Sequence, residues 1–371
     1  MIRASSKTED MNIVGIGGGT GLPVLLRGLK QLRDRSVDGN ASDSFSVTAL
    51  VCVSDNGGSS GSLRQALDIP AVGDLRNCLV ALAEGNPALR DIFQYRLRGE
   101  SGLDGHCLGN LIVSALCARS GNLQQAVHLA AEILQSQGRV LPSTEVSATL
   151  CAESENGAIE RGETQITARR MKIRRVWLEP PNTPPAPGVL ETLASADAIV
   201  LGPGSLYTSV IANLLPTGVA DAVRNSPALK ILVCNLMTQA GETDGYSASD
   251  HVRAVQQYLG REGVHICLLN STPISEDLEA KYARAGTMPV CGDLEEISLR
   301  GVVPICLDLL GGGADGVRHD PGKLARWIVG LTRAFLRARD LRFGDVRCFV
   351  ESDAANAGAE GVWTPSDLPA L

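Results

Sequence analysis

The chain has 371 residues, 44% of them hydrophobic, with only 4% aromatics and 40 glycines. That length supports one large domain or two smaller ones with real cores, and a core of Val, Leu, Ile and Ala joined by tight glycine turns points to parallel α/β architecture rather than disorder or an all-β fold. A formal net charge of -7 argues against nucleic acid and anionic membrane surfaces as partners, because both select for basic patches.

No apolar run approaches the roughly 18 to 20 residues that span a bilayer, and the polar start MIRASSKTED lacks the apolar stretch of a signal peptide. A cytoplasmic location without a membrane span is therefore expected, with residues 1–10 as a flexible tail. The ten cysteines are scattered singly, without CxxC pairs, so most are expected to be reduced core thiols.

From Asn12 the pattern predicts a buried strand through Ile13, Val14 and Ile16, then a glycine turn, then a helix carrying Leu22, Leu25, Leu26 and Leu29 at helical spacing. The turn, Gly15-Ile16-Gly17-Gly18-Gly19-Thr20-Gly21, lets backbone approach a phosphate at a helix start, and Gly18, Gly19, Thr20 and Gly21 are its candidate contacts. A glycine turn also serves plain strand-to-helix packing. It is no clean dinucleotide fingerprint, since the sixth position is Thr20 counted from Gly15 and Leu22 counted from Gly17. No Gly-Lys-Ser or Gly-Lys-Thr of a P-loop occurs.

A second strand, Val47 to Val53, leads into a polar loop running from Asp55 to Arg64. There Ser59 and Ser60 can donate to phosphate, Asp55 can bind a hydroxyl or Mg²⁺, and Arg64 can pair with an anion. The bland alternative is a capped loop. Helical patterns then run from residue 74 to 135, too long for one crossover, which predicts a helical subdomain. At its start, Gly73-Asp74-Leu75-Arg76-Asn77 puts Asp74 either in the N-cap or in a metal or substrate site, while Arg76 reads equally well as a surface cation. Further on, His106 and Asn110 open another helix, where a lone His is more often structural than catalytic.

Residues 139–188 change character: Val146, Ala148 and Leu150 alternate, Asn156-Gly157 signals a hairpin, and prolines crowd residues 180–187. A small β insertion and a stiff connector are predicted. Strands resume at Ala198 to Leu201, Ile231 to Cys234 and Val264 to Leu268, with helices between them.

The first of these strands ends in Gly202-Pro203-Gly204-Ser205-Leu206-Tyr207, a second turn suited to an anion. With Gly202, Gly204, Ser205 and Tyr207 as candidates, two such turns imply a ligand lying across both. The next ends in a polar segment, Asn235 to Thr243, where Asn235, Met237 and Thr243 could read a base or sugar. A last helix is predicted from Asp320-Pro321 to about Arg337, and residues 338–371 read as a loosely attached tail. No Ser/His/Asp arrangement or His/Cys metal spacing stands out.

The ordered blocks Gly17 to Leu22, Asp55 to Arg64, Gly73 to Asn77, Gly105 to Leu111, Leu201 to Ser209 and Asn235 to Thr243 resemble those of the gluconeogenesis-factor (YvcK-type) family in the CofD-like superfamily, over residues 11–337. The resemblance implies a Rossmann-like, mostly parallel sheet with a helical subdomain and a small β insertion. It also implies a UDP-sugar ligand, UDP-N-acetylglucosamine, and a regulatory role in cell shape and growth on gluconeogenic carbon, with no established reaction. A homodimer is expected from the family alone.

Two further positions match the nucleotide-sugar-binding members: Tyr282, suited to stack on uracil, and Arg318, suited to pair with pyrophosphate. Locally they read equally well as a half-buried phenol and a neighbour of the Asp320 cap. The related 2-phospho-L-lactate transferase joins a phospholactyl group to a deazaflavin with acidic metal ligands, which makes a Mg²⁺-dependent transferase with Asp55 and Asp74 as ligands the alternative. The chain carries Asp55-Asn56 where members commonly have two adjacent acids, and an amide oxygen binds Mg²⁺ less strongly than a carboxylate. This departure favours a binding protein, and an NAD-dependent oxidoreductase ranks third.

Overall fold

A computed structural model describes residues 11–36, 44–67, 69–99, 102–312 and 316–340. The expected N-terminal tail lies outside these residues, as does nearly all of the C-terminal one. The chain starts with β1 (Met11–Gly17), α1 (Leu22–Ser36) and β2 (Phe45–Val51). Five helices follow: α2 (Gly58–Leu67), α3 (Gly73–Leu82), α4 (Pro87–Gln94), α5 (Leu108–Ser120) and α6 (Leu123–Leu134). Next come β3 (Arg139–Pro142), β4 (Thr149–Ser154), β5 (Ile159–Arg161), α7 (Glu163–Arg169) and β6 (Ile173–Glu179). Helix and strand then alternate through α8 (Val189–Ala194), β7 (Ala198–Leu201), α9 (Val219–Asn225), β8 (Leu229–Val233), α10 (Ala248–Leu259) and β9 (Ile266–Asn270). The last elements are α11 (Glu276–Ala283), α12 (Leu294–Leu299), β10 (Val303–Leu307) and α13 (Pro321–Asp340).

Seven strands form one parallel sheet in the order β10-β9-β8-β7-β1-β2-β3. Both faces are covered, so successive residues of a strand enter two separate cores. Ile13, Ala198 and Val200 pack toward α1, α3 and α13, whereas Val14, Ile16, Ile199 and Leu201 pack toward α9 and α10. This two-sided burial explains why the strands read as continuous apolar runs. The smaller antiparallel sheet, β5-β4-β6, packs Leu150, Ala152, Val176 and Leu178 against the second core.

From β1 the chain winds one way to β2 and β3 and later the other way to β7 through β10. The topological switch point therefore lies between β1 and β7, where their carboxyl ends leave a crevice.

Three elements differ from the sequence reading. Helix begins at Gly58 rather than near residue 74, because Leu63 is buried and Arg64 is tied down, which overrides the poor helix propensity of Gly-Ser-Ser-Gly-Ser. Residues 139–142 belong to the main sheet as its edge strand, where a proline such as Pro142 is tolerated. The opposite edge, β10, was not predicted, and it too contains a proline, Pro304. By contrast, α13 starts as expected, with Asp320 Oδ1 accepting from the Lys323 amide at 2.8 Å.

Candidate functional site

The carboxyl ends of β1, β7 and β8 enclose a cavity of about 380 Å³, within the usual range of small-molecule sites. From the first turn Gly18, Gly19, Thr20 and Gly21 line it. Gly204 and Ser205 come from the second turn, Asn235 and Met237 from the β8 segment, and Tyr282 and Arg318 from distant parts of the chain. A larger open groove of about 840 Å³ lies along α6 and β3, away from the switch point and without a comparable set of polar loops.

The two turns touch backbone to backbone, since a Cβ on Gly21 would collide with the Pro203 carbonyl. Packing, not ligand contact alone, therefore requires that glycine. Behind the first turn stands α3. Asp74 Oδ2 accepts from the Gly19 amide at 2.6 Å, and Asn77 Nδ2 donates to the Gly19 carbonyl at 3.2 Å. A Cβ on Gly18 would run into the Asp74 carboxylate. Asp74 thus does not cap its helix, whose N-cap Val72 has no side-chain cap, but fixes the turn. Arg76 is not a surface cation: it is buried, with Nη1 donating to the Phe93 carbonyl at 3.4 Å and to Cys107 Sγ at 3.0 Å.

Behind the second turn the same device recurs. Glu242 Oε1 accepts from the amides of Tyr207 at 2.6 Å and Thr208 at 2.8 Å, opening a π turn at Leu206–Val210. Both donors, one of them on Tyr207, which was expected from sequence to face an anion, are engaged by the protein's own carboxylate. Gly202 takes φ of 86°, in the left-handed region, and stands beside the cavity rather than in its wall. Tyr207 is buried, with its hydroxyl 2.9 Å from that of Tyr246, and Thr243 Oγ1 accepts from the Gln239 amide at 2.8 Å. Both shape the walls without lining the cavity.

At the mouth, Arg318 Nη1 donates to Thr20 Oγ1 at 3.2 Å, and Tyr282 accepts from the Val317 amide through its hydroxyl at 3.0 Å. Arg27 lies close enough for Arg318 to depress its pKa, second to burial. This pair of cations was legible only in part, since Arg27 lies within α1, outside the polar loops that sequence reasoning singled out. Sequence reasoning also missed His319, which lines the cavity, is 8% exposed and has no hydrogen-bond partner at Nε2. Burial lowers its pKa from 6.5 to about 4, so it is a neutral imidazole at neutral pH.

The remaining candidates cluster beside the cavity rather than in it. Ser59 Oγ lies 3.2 Å from His106 Nδ1, accepts from Asn110 Nδ2 at 3.2 Å and accepts from the Cys107 amide at 3.3 Å. Ser60 is hydrogen-bonded to Asp55, whose Oδ1 also accepts from the Gly57 amide at 2.7 Å. Arg64 binds the Ala148 carbonyl at 2.8 Å, Ser147 Oγ at 3.1 Å and Thr149 Oγ1 at 3.1 Å, so it fastens α2 to the β insertion. Asn56 joins the start of α7, accepting from the Thr164 amide at 3.0 Å.

Asp55, Asp74, Glu163 and Glu242 form one electrostatically coupled acidic group behind the turns. Burial, reinforced by the neighbouring carboxylates, raises Glu163 to about 9. Burial also raises Asp74 to about 6 and Glu242 to about 7, and pushes Asp55 upward. Among the described residues no group of three His, Cys, Asp or Glu side chains could hold a metal ion. Asp55 and Asp74 would supply Mg²⁺ with at most two ligands, leaving the rest to water and a bound phosphate. Of the nine cysteines described, all are free, seven of them buried. No helix among the described residues is long and apolar enough to cross a membrane.

Comparison with known proteins matches residues 13–310 to the family model described as 2-phospho-L-lactate transferase CofD. A gluconeogenesis factor of Halalkalibacterium halodurans is 43% identical over 318 residues, covering 86% of this chain and 95% of that protein. The Bacillus subtilis gluconeogenesis factor is 41% identical over 317 residues, covering 85% and 96% respectively. A crystal structure of a Bacillus halodurans protein superposes with a TM-score of 0.82 at 43% identity, covering 86% of this chain and all of that one.

Proposed function

Because the chain belongs to the CofD-like family of gluconeogenesis factors, we propose that it is a cytoplasmic regulatory protein that binds a UDP-sugar, UDP-N-acetylglucosamine, in the cavity between β1, β7 and β8, and acts in carbon metabolism and cell shape. The observation that carries this reading is the placing of Arg318 and Tyr282 at one cavity with Thr20 and the two glycine turns. Arg318, with Arg27 nearby, supplies cations for a diphosphate. Tyr282 offers a face for a base, and Asn235 offers amide groups for base or sugar.

The test is thermal. A ligand bound only by the folded state stabilises it by mass action, about 2.7 kcal/mol at a hundredfold excess over the dissociation constant. The melting midpoint should rise with UDP-N-acetylglucosamine in the absence of metal. No rise at millimolar ligand in a folded sample would remove this reading.

A second reading is favoured by the acidic group. The Asp55 charge raises the pKa of Asp74, and Asp74 lies behind the first turn, a pairing that a Mg²⁺-dependent transferase acting on a nucleotide-linked phosphoryl donor would need. In that case these two carboxylates would hold the ion, and the ion would neutralise charge on the donor. Saturable binding of GTP that requires Mg²⁺ would favour this alternative.

A further inference from the structure

The sequence presents two turns fit for anions, yet each has a buried carboxylate on its amides. The second is the more complete. Glu242 is 2% exposed, both Tyr207 and Thr208 donate to its Oε1, and its Oε2 has no hydrogen-bond partner in the described structure. One residue, Leu206, separates these amides from Pro203, Gly204 and Ser205, which form one wall of the cavity. The adjoining wall, Gly18 and Gly19, is backed by Asp74. Among the residues lining the cavity Arg318 carries positive charge, and Arg27 lies close enough to it for their charges to interact.

We propose that Glu242 is a specificity-determining residue that limits the negative charge the cavity accepts, selecting a nucleoside diphosphate ester with uncharged ends over a nucleoside triphosphate. The diphosphate sits against the cations at the mouth. The uncharged end of the ligand lies along the β7 and β8 walls, behind which Glu242 holds the amides of Tyr207 and Thr208. A third phosphate must either leave the cations or approach buried carboxylates through a poorly screening interior, and both cost affinity. This inference rests on the nucleotide-sugar reading above and specifies its ligand class.

The test compares UDP-N-acetylglucosamine with UTP by calorimetry at pH 8 without divalent metal, for the wild type and for Glu242→Gln. Glutamine keeps an acceptor oxygen for both amides and removes the charge. The wild type should prefer the UDP-sugar, and Glu242→Gln should narrow that preference by about tenfold, the size expected of one buried charge acting over several ångströms. If the residue is only scaffolding, the variant weakens both ligands together and the ratio stays fixed, which overturns the proposal. The wild type alone is also decisive, should the variant fail to fold: UTP binding as tightly as the UDP-sugar leaves no charge filter to explain. Absence of any UDP-sugar binding to the wild type would overturn the nucleotide-sugar reading and this inference with it.

Discussion

Arg318 and Thr20, 298 positions apart in the chain, meet across the mouth of the cavity, where the guanidinium donates to the threonine hydroxyl at 3.2 Å. The contact is exposed and holds no core together, so Arg318 is free to exchange a neutral partner for an anionic one. Arg318→Glu replaces a charge-assisted contact with repulsion and should weaken UDP-N-acetylglucosamine binding at least about thirtyfold, or about 2 kcal/mol. The melting midpoint should hardly move, because surface charge changes shift stability by about half a kcal/mol. An unaltered dissociation constant would clear Arg318 of a ligand role.

Gly18 separates the cavity from Asp74, with no room for a side chain between them. Gly18→Ala should therefore destabilise the protein by about 1 to 3 kcal/mol, the usual cost of overpacking a closed site. Urea unfolding measures this directly. A midpoint equal to the wild type would mean that Asp74 can move aside at no cost.

Asp55 accepts from the Gly57 amide, and burial raises its pKa. Its charge is thus a burden in the folded state. Asp55→Asn keeps an acceptor and removes the charge, so stability at pH 8 should stay level or rise. A large loss in thermal midpoint would assign the carboxylate a structural role that its contacts do not suggest.

His319 gives a pH dependence with a definite sign. Its folded pKa of about 4 lies below its ordinary 6.5, so the folded state disfavours its protonation. The stability this contributes is fully present above pH 6.5 and is lost as the pH falls toward 4, by a total of about 3 kcal/mol. Comparing the wild type with His319→Gln isolates this residue, since the acidic group titrates in the same window with the opposite sign. Equal slopes of stability against pH in the two proteins would show that the imidazole charges freely in place.

Much of the sheet was legible because buried parallel strands read as apolar runs ending in polar glycine turns: Ala198 to Leu201 is predicted to the residue. The edge strands were not, since Pro142 and Pro304 interrupt the pattern in places only an edge allows. At the site, the glycine turns, Asn235 and Met237 were found from their place after strands, while Tyr282 and Arg318 were found only through the family resemblance. What the sequence concealed were partnerships. Arg64 looks like an anion ligand until its bonds to Ser147, Ala148 and Thr149 are seen. Likewise, nothing local reveals that Glu242 reaches back 34 and 35 residues to the amides of the second turn.

The central claim is that the switch-point cavity holds a UDP-sugar without a metal. Isothermal calorimetry of the full chain against UDP-N-acetylglucosamine, GTP and NAD, each with and without Mg²⁺, tests it most directly. The account predicts saturable binding of UDP-N-acetylglucosamine alone, unchanged when Mg²⁺ is removed. Binding of GTP that depends on Mg²⁺, with none of the UDP-sugar, would contradict it.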